Sequence, residues 1–153
     1  MRTTRAAWAL DVAAVTARRT TCLRRAVGAV LLNSRGHVLA TGYNGVAAGV
    51  AHCNDAKGHA FPHACPGATL LSGAGLDLCY AIHAEQNALL QCGDVQTIAE
   101  CYVTTAPCIT CTKLLMNTSC HTIVYLNDYP HAHESEALWL SVGRTWTKYK
   151  DWL

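Results

Sequence analysis

The chain has 153 residues, enough for one domain with its own core and too few to expect two. Twelve Lys and Arg against ten Asp and Glu give a formal charge of +2 with histidines neutral, and the basic residues form no tail or stripe. Duplex nucleic acid is therefore not an expected partner, whereas a small anion needs only one or two arginines. No run of 18 apolar residues and no charged-then-apolar leader is present, so the expectation is a soluble cytoplasmic protein without a membrane span or secretory signal. Nine cysteines, an odd number with one metal-like pair, favour reduced thiols over a disulfide framework.

Residues 4–19 are alanine-rich with Trp8, Val12, Val15 and Arg19 at helical spacing, which predicts an amphipathic helix. Segments 26–32 and 37–43 flank the turn residues 33–36 and predict a hairpin of two largely buried strands. A segment at about 45–80 has no period, is rich in glycine and proline, and carries His52, Cys53, His59, His63, Cys65 and Cys79. A loop of that length needs a function or a clamp. Helical spacing returns over 82–91 with a stop at Gly93. Then come a strand at 101–105, a helix at 108–117 with Pro107 suited to its first turn, a strand at 122–126, a helix at 134–142 and a short edge strand within 145–152. Strands alternating with helices after a hairpin predict one α/β domain over 1–153, with three α/β/α layers and a mixed central sheet of about five strands.

Two short pieces carry chemistry: His83-Ala84-Glu85 and Pro107-Cys108-Ile109-Thr110-Cys111. Both fall at predicted helix starts. Cys108 and Cys111 are one helical turn apart, so both sulfurs reach the same side, and a helix N-terminus favours their thiolate forms. His83 adds a third ligand for a tetrahedral zinc and leaves the fourth position open for water. His83 and Glu85 are two residues apart and meet at one centre only at a helix start, where the carboxylate can serve as proton carrier. Taken singly, HxE is a weak signal, and CxxC also suits a redox pair or half of a structural zinc site. A structural site closes with a fourth protein ligand and needs no adjacent acid. The two motifs in this order read as an open, catalytic zinc.

With these motifs the chain resembles the cytidine deaminase superfamily and, within it, the deoxycytidylate (dCMP) deaminase family. The similarity covers about residues 16–130. It runs through TCLRRAVGAV from Thr21 to Val30, through Gly42-Tyr43-Asn44-Gly45, through the HAE and PCxxC motifs and through Ile123-Val124-Tyr125. HxE and PCxxC mark the superfamily; GYNG and TCLRRAVGAV point to dCMP. The resemblance implies zinc ligands His83, Cys108 and Cys111, attack of zinc-activated water on C4 of cytosine, and protonation of N3 and the leaving amine by Glu85. The products are dUMP, which feeds dTMP synthesis, and ammonia.

The resemblance also implies a sugar contact for Asn44, which competes with a plain Asn-Gly turn at the same place. The Ala84 backbone is expected to face the pyrimidine carbonyl. Arg24 and Arg25 are candidates for the 5′-phosphate, against a solvated surface role, and Tyr125 is a candidate pocket residue, against a core role. Cys22, Cys53 and Cys79 match positions of a second, structural zinc in some bacterial and phage members. Its fourth ligand is left between His63 and Cys65, with His52 and His59 behind them. Some members are hexamers activated by dCTP and inhibited by dTTP, with Mg2+ accompanying the triphosphates, and Gly42, Tyr43, Asn44 and Gly45 are candidates for that nucleotide site. Cys92, Cys101 and Cys120 read as small buried residues, and His121, His131 and His133 as surface ones. The rival readings are a tRNA adenosine deaminase, a free cytidine deaminase, and a non-catalytic zinc-stabilised nucleotide-binding module.

Overall fold

The computed structural model describes residues 1–54, 65–67, 70–75 and 78–150. In chain order the elements are α1 (Arg5–Ala17), β1 (Gly28–Leu32), β2 (Val38–Tyr43), β3 (Gly45–Val46), β4 (Ala81–Ile82), α2 (Ala84–Gln91), β5 (Glu100–Thr105), α3 (Ile109–Met116), β6 (Thr122–Asn127), α4 (Ala132–Leu140) and β7 (Thr145–Lys148). Five strands form a mixed sheet in the order β2-β1-β5-β6-β7. β1 runs antiparallel to both its neighbours, while β5, β6 and β7 are mutually parallel, connected through α3 and α4. This is the three-layer α/β arrangement expected from the alternation of elements.

The period-2 alternation of each strand divides the core. Ala29, Leu31, Cys101, Val103, Ile123 and Tyr125 face a core shared with Ala84 and Ala88 of α2, Leu115 of α3 and Trp139 of α4. Val30, Leu32, Tyr102 and Val124 face Ala9, Leu10 and Ala13 of α1. Covered on both sides, β1 is buried along its whole length; β2 at the sheet edge is only half covered, so one of the two hairpin strands departs from expectation.

α1 also departs from its predicted face. Its buried residues are Ala9, Leu10, Ala13 and Ala17, whereas Trp8 and Val15 are 39% and 54% exposed. The cause is proximity: a Cβ on Gly28 would lie 1.9 Å from the Ala13 carbonyl oxygen and 2.7 Å from the Ala17 amide, so that crossing takes only small side chains. Thr4 caps the helix by accepting from the Ala7 amide at 3.1 Å. In the hairpin turn the Asn33 side chain accepts from the Arg35 and His37 amides, and Gly36 takes φ +80°.

β3 pairs with β4, Gly45 opposite Ile82 and Val46 opposite Ala81, and this two-stranded clamp closes the neck of the long loop. It also takes the residues predicted to open α2, which starts at Ala84 instead. Pro107 stands before the cap of α3, one position earlier than predicted, because Cys108 is itself the N-cap. The C-terminal end of α3 is held by Arg144, whose guanidinium donates to the carbonyls of Leu115, Met116 and Cys120 and lies 4.9 Å over the Trp139 ring. No described helix is long and apolar enough to cross a membrane.

Candidate active site

The parallel strands β5 and β6 end beside the N-termini of α2 and α3, and there the two motifs meet. His83 caps α2, its amide donating to Gln86 Oε1 at 2.8 Å. Cys108 caps α3, its sulfur accepting from the Cys111 amide at 3.5 Å. His83 Nδ1 lies 3.4 Å from the sulfur of Cys108 and 3.4 Å from that of Cys111, and the three donor atoms fall within 4.8 Å of one another. Tetrahedral zinc, with Zn–S of about 2.3 Å and Zn–N of about 2.0–2.1 Å, separates nitrogen from sulfur by roughly 3.5 Å, so this donor set fits that ion.

The sulfurs share a proton unequally. The hydrogen bond from Cys111 and the contact with His83, opposed by burial, bring Cys108 down to about 4, while Cys111 as donor is pushed up. Glu85 is 5% exposed on the first turn of α2, and burial, then the charge of Cys108, raises its carboxyl to about 6. A carboxyl poised near neutrality can both take and return a proton.

His83, Glu85 and Cys108 open into a cavity of about 90 Å3, lined also by Arg24, Arg25, Val27, Asn44, Thr105, Ala106 and Tyr129, with Cys22, Ser72, Gly73 and Cys79. Asn44 is buried and forms no turn. Its Oδ1 accepts from Val27 N at 2.9 Å and its Nδ2 donates to Arg25 O at 2.8 Å, so it fixes the segment before β1 while lining the cavity. The two arginines diverge. Arg24 Nη1 donates to the carbonyls of Leu71 and Ala74 at 2.8 and 2.7 Å and holds that turn against the cavity. Arg25 lies over the Tyr129 ring, 5.8 Å from its centroid, and its buried Nη1 has no hydrogen-bond partner among the described residues.

Tyr125 does not line the cavity. It is a core residue packed on Trp146, ring centroids 5.6 Å apart, because the alternation of β6 turns it under the sheet. Sequence reasoning missed Tyr129, which follows β6 in an irregular stretch with no periodic signal. GYNG supports the site from behind: a Cβ on Gly42 would meet Ala84 O at 2.2 Å and Ala88 N at 2.4 Å, and Tyr43 O accepts from Asn87 Nδ2 at 2.8 Å. Both bring the sheet edge hard against the helix that carries Glu85.

Cys22, Cys53, Cys65 and Cys79 are neighbours. The Cys53 thiol, 5% exposed, is pushed up to about 11 by burial and then by Cys65, Cys22 and Cys79, while hydrogen bonding from Cys79 and Cys53 helps to lower the Cys65 thiol against its own burial. Among the described residues, only His83, Cys108 and Cys111 bring three donor atoms within 4.8 Å. His59 and His63 lie outside the described residues; His52 is exposed, with Nδ1 3.1 Å from Thr21 Oγ1. Cys101 and Cys120 are fully buried, Cys92 only partly, and His121, His131 and His133 are exposed.

The geometry has counterparts. Residues 3–127 match the family described as cytidine and deoxycytidylate deaminase zinc-binding region. The deoxycytidylate deaminase of Mycobacterium phage D29 is 40% identical over 117 residues, 76% of this chain and 89% of that protein. That of Schizosaccharomyces pombe is 34% identical over 138 residues, 88% of this chain, and the chain spans only 40% of its length. The dCMP deaminase of the cyanophage S-TIM5, at 22% identity, shares the fold with a TM-score of 0.70 over 97% of this chain and 100% of that one. A histidine and two thiols at ligating distance on two helix starts, within a sequence matched from residue 3 to residue 127, place the chain in the cytidine and deoxycytidylate deaminase family.

Proposed function

We propose that the protein hydrolyses dCMP to dUMP and ammonia. The observation that carries this reading is the meeting, at one cavity, of the donor set of His83, Cys108 and Cys111, the buried Glu85 and the unpaired Nη1 of Arg25. Zinc, when bound, supplies a water activated at neutral pH. Glu85 would take one proton from that water and give it to N3 as oxygen bonds to C4, then take the remaining hydroxyl proton and give it to the amine, which leaves as ammonia as the C4–N bond breaks. The amides at the start of α2, Ala84 among them, give the ring carbonyl a donor. Asn44 keeps one amide proton and one lone pair for the sugar, and Arg25 takes the phosphate in a charge-assisted bond. The names of the phage and yeast relatives support dCMP as substrate.

The grouping of Cys22, Cys53 and Cys79 with Cys65 supports a second, structural zinc with Cys65 as fourth ligand. Tyr43 lies 6.0 Å from the Arg19 guanidinium carbon, a basic-aromatic pair beside GYNG. Regulation by dCTP and dTTP with their Mg2+ in a homo-hexamer is what the resemblance implies, and Tyr43 belongs to the segment it assigns to that nucleotide. Nine cysteines, all free, support work in a reducing compartment such as the cytoplasm. The test is ammonia release from dCMP, deoxycytidine, CMP and dCTP, with and without dCTP or dTTP as effector, alongside zinc content per chain. Ammonia from dCMP is expected; none from any of the four rejects the deaminase in favour of a zinc-stabilised binding module.

A further inference from the structure

Arg25 and Tyr129 form a unit that the rest of the site does not explain. The backbone of Arg25 is pinned through its carbonyl to Asn44, and two residues on Val27 is pinned to the same carboxamide, so the side chain leaves a fixed point at the cavity wall. Its guanidinium carbon sits 5.8 Å over the ring of Tyr129, and both residues line the cavity. Tyr129 is itself wedged. His131 meets its ring edge-on at a centroid distance of 6.0 Å, and its hydroxyl stands where a Cβ on Gly73, at φ +82°, would come to 2.9 Å. Arg24 holds the turn bearing Gly73 through the Leu71 and Ala74 carbonyls.

A buried guanidinium nitrogen without an acceptor is costly, and an anion in the cavity would satisfy it. An arginine side chain has several rotatable bonds, and here an aromatic platform restricts them. The ring narrows where the guanidinium can lie, so less of its freedom is lost when a ligand arrives.

We propose that Tyr129 is a positioning residue for nucleotide specificity: its ring holds Arg25 aimed into the cavity, and the enzyme selects 5′-monophosphates over nucleosides through that pair. This rests on the deaminase reading. In this arrangement the ring matters and the hydroxyl does not. Tyr129 acts only through Arg25.

The test measures kcat and KM on dCMP and deoxycytidine for the wild type, Tyr129→Phe, Tyr129→Leu, Arg25→Gln and the Leu/Gln double variant. Zinc content and thermal midpoint serve as checks of folding. Tyr129→Leu is expected to lower the dCMP-to-deoxycytidine ratio of kcat/KM by at least about tenfold, mostly through the KM for dCMP. Tyr129→Phe should keep the wild-type ratio, and the double variant should be no worse than Arg25→Gln alone. An unchanged ratio in Tyr129→Leu, or losses that multiply in the double variant, overturns the proposal. Calorimetric titration of the same proteins with dUMP and deoxyuridine separates it from the deaminase reading. If the wild type releases no ammonia yet prefers dUMP and Tyr129→Leu abolishes that preference, the deaminase reading fails and the positioning role stands. If the wild type shows no preference for dUMP over deoxyuridine, the positioning role falls.

Discussion

Cys108 and Cys111 stand on one turn of α3, itself docked at the end of β5, and His83 caps a helix packed against β2; Cys22, Cys53, Cys65 and Cys79 come from irregular segments before β1 and before β4. The first set is brought to ligating distance by two helix starts packed side by side, with the cysteine pair already close within one turn. The second is gathered into one neighbourhood without three donors closing to that distance. An open metal site has to be built by the scaffold, since its ligands must leave a position free. A closed structural site can be completed by the metal itself, whose binding then contributes to folding. On the proposed reading, chemistry belongs to the cluster whose donors already meet and stapling to the one whose donors do not.

The contrast breaks most sharply at Glu85. Glu85→Gln should lower dCMP turnover by about 100- to 10,000-fold with zinc per chain unchanged, whereas Cys108→Ser should lose both activity and catalytic zinc. Near-normal turnover in Glu85→Gln would remove the mechanism. The role of the scaffold is tested next. Gly42→Ala drives a methyl into the backbone of α2 and should cost about 3 kcal/mol in denaturant unfolding. Gly93→Ala, where a Cβ meets nothing within 4 Å, should change stability by less than about 1 kcal/mol. Equal effects would show that close packing of α2 is not what places Glu85.

A smaller expected effect sharpens the loose side. Cys65→Ser should lower zinc by about one equivalent per chain, with kcat on dCMP within about threefold of wild type. Unchanged zinc would remove Cys65 from the ligand set, and loss of all zinc would mean that the two clusters are not independent. Arg144→Ala should cost about 1–3 kcal/mol of stability by freeing the last carbonyls of α3, with the zinc at its other end retained. Loss of that zinc would show that the catalytic cluster depends on the far end of its helix.

Local signals read well where the chain satisfies itself locally. The spacing of Cys108 and Cys111 is a property of one helical turn, the 33–36 turn lies in its own Asn and Gly, and the strand-helix alternation from β5 onward requires the parallel order found. Readings failed where a partner distant in sequence decides. In α1 the apolar Trp8 and Val15 are left exposed, because the helix turns Ala13 and Ala17 onto the backbone at Gly28, where no larger side chain fits. Tyr125 and Tyr129 have no distinguishing local pattern; the pleat of β6 sends the first under the sheet, and the loop after it turns the second over Arg25.

The sequence by itself determined the ligand types, their spacing at two helix starts and hence the reaction class, since a metal's needs are written in a few short-range residues. Only the tertiary structure decided how neighbours with the same side chain divide their work. Arg24 is spent on two carbonyls and Arg25 keeps a buried nitrogen unpaired, because the turn at residues 71–74 folds back onto one arginine and Tyr129 onto the other. Adjacent residues in a chain share a composition and a neighbourhood in sequence, but their side chains leave in different directions, and what each one meets is fixed by segments tens of residues away.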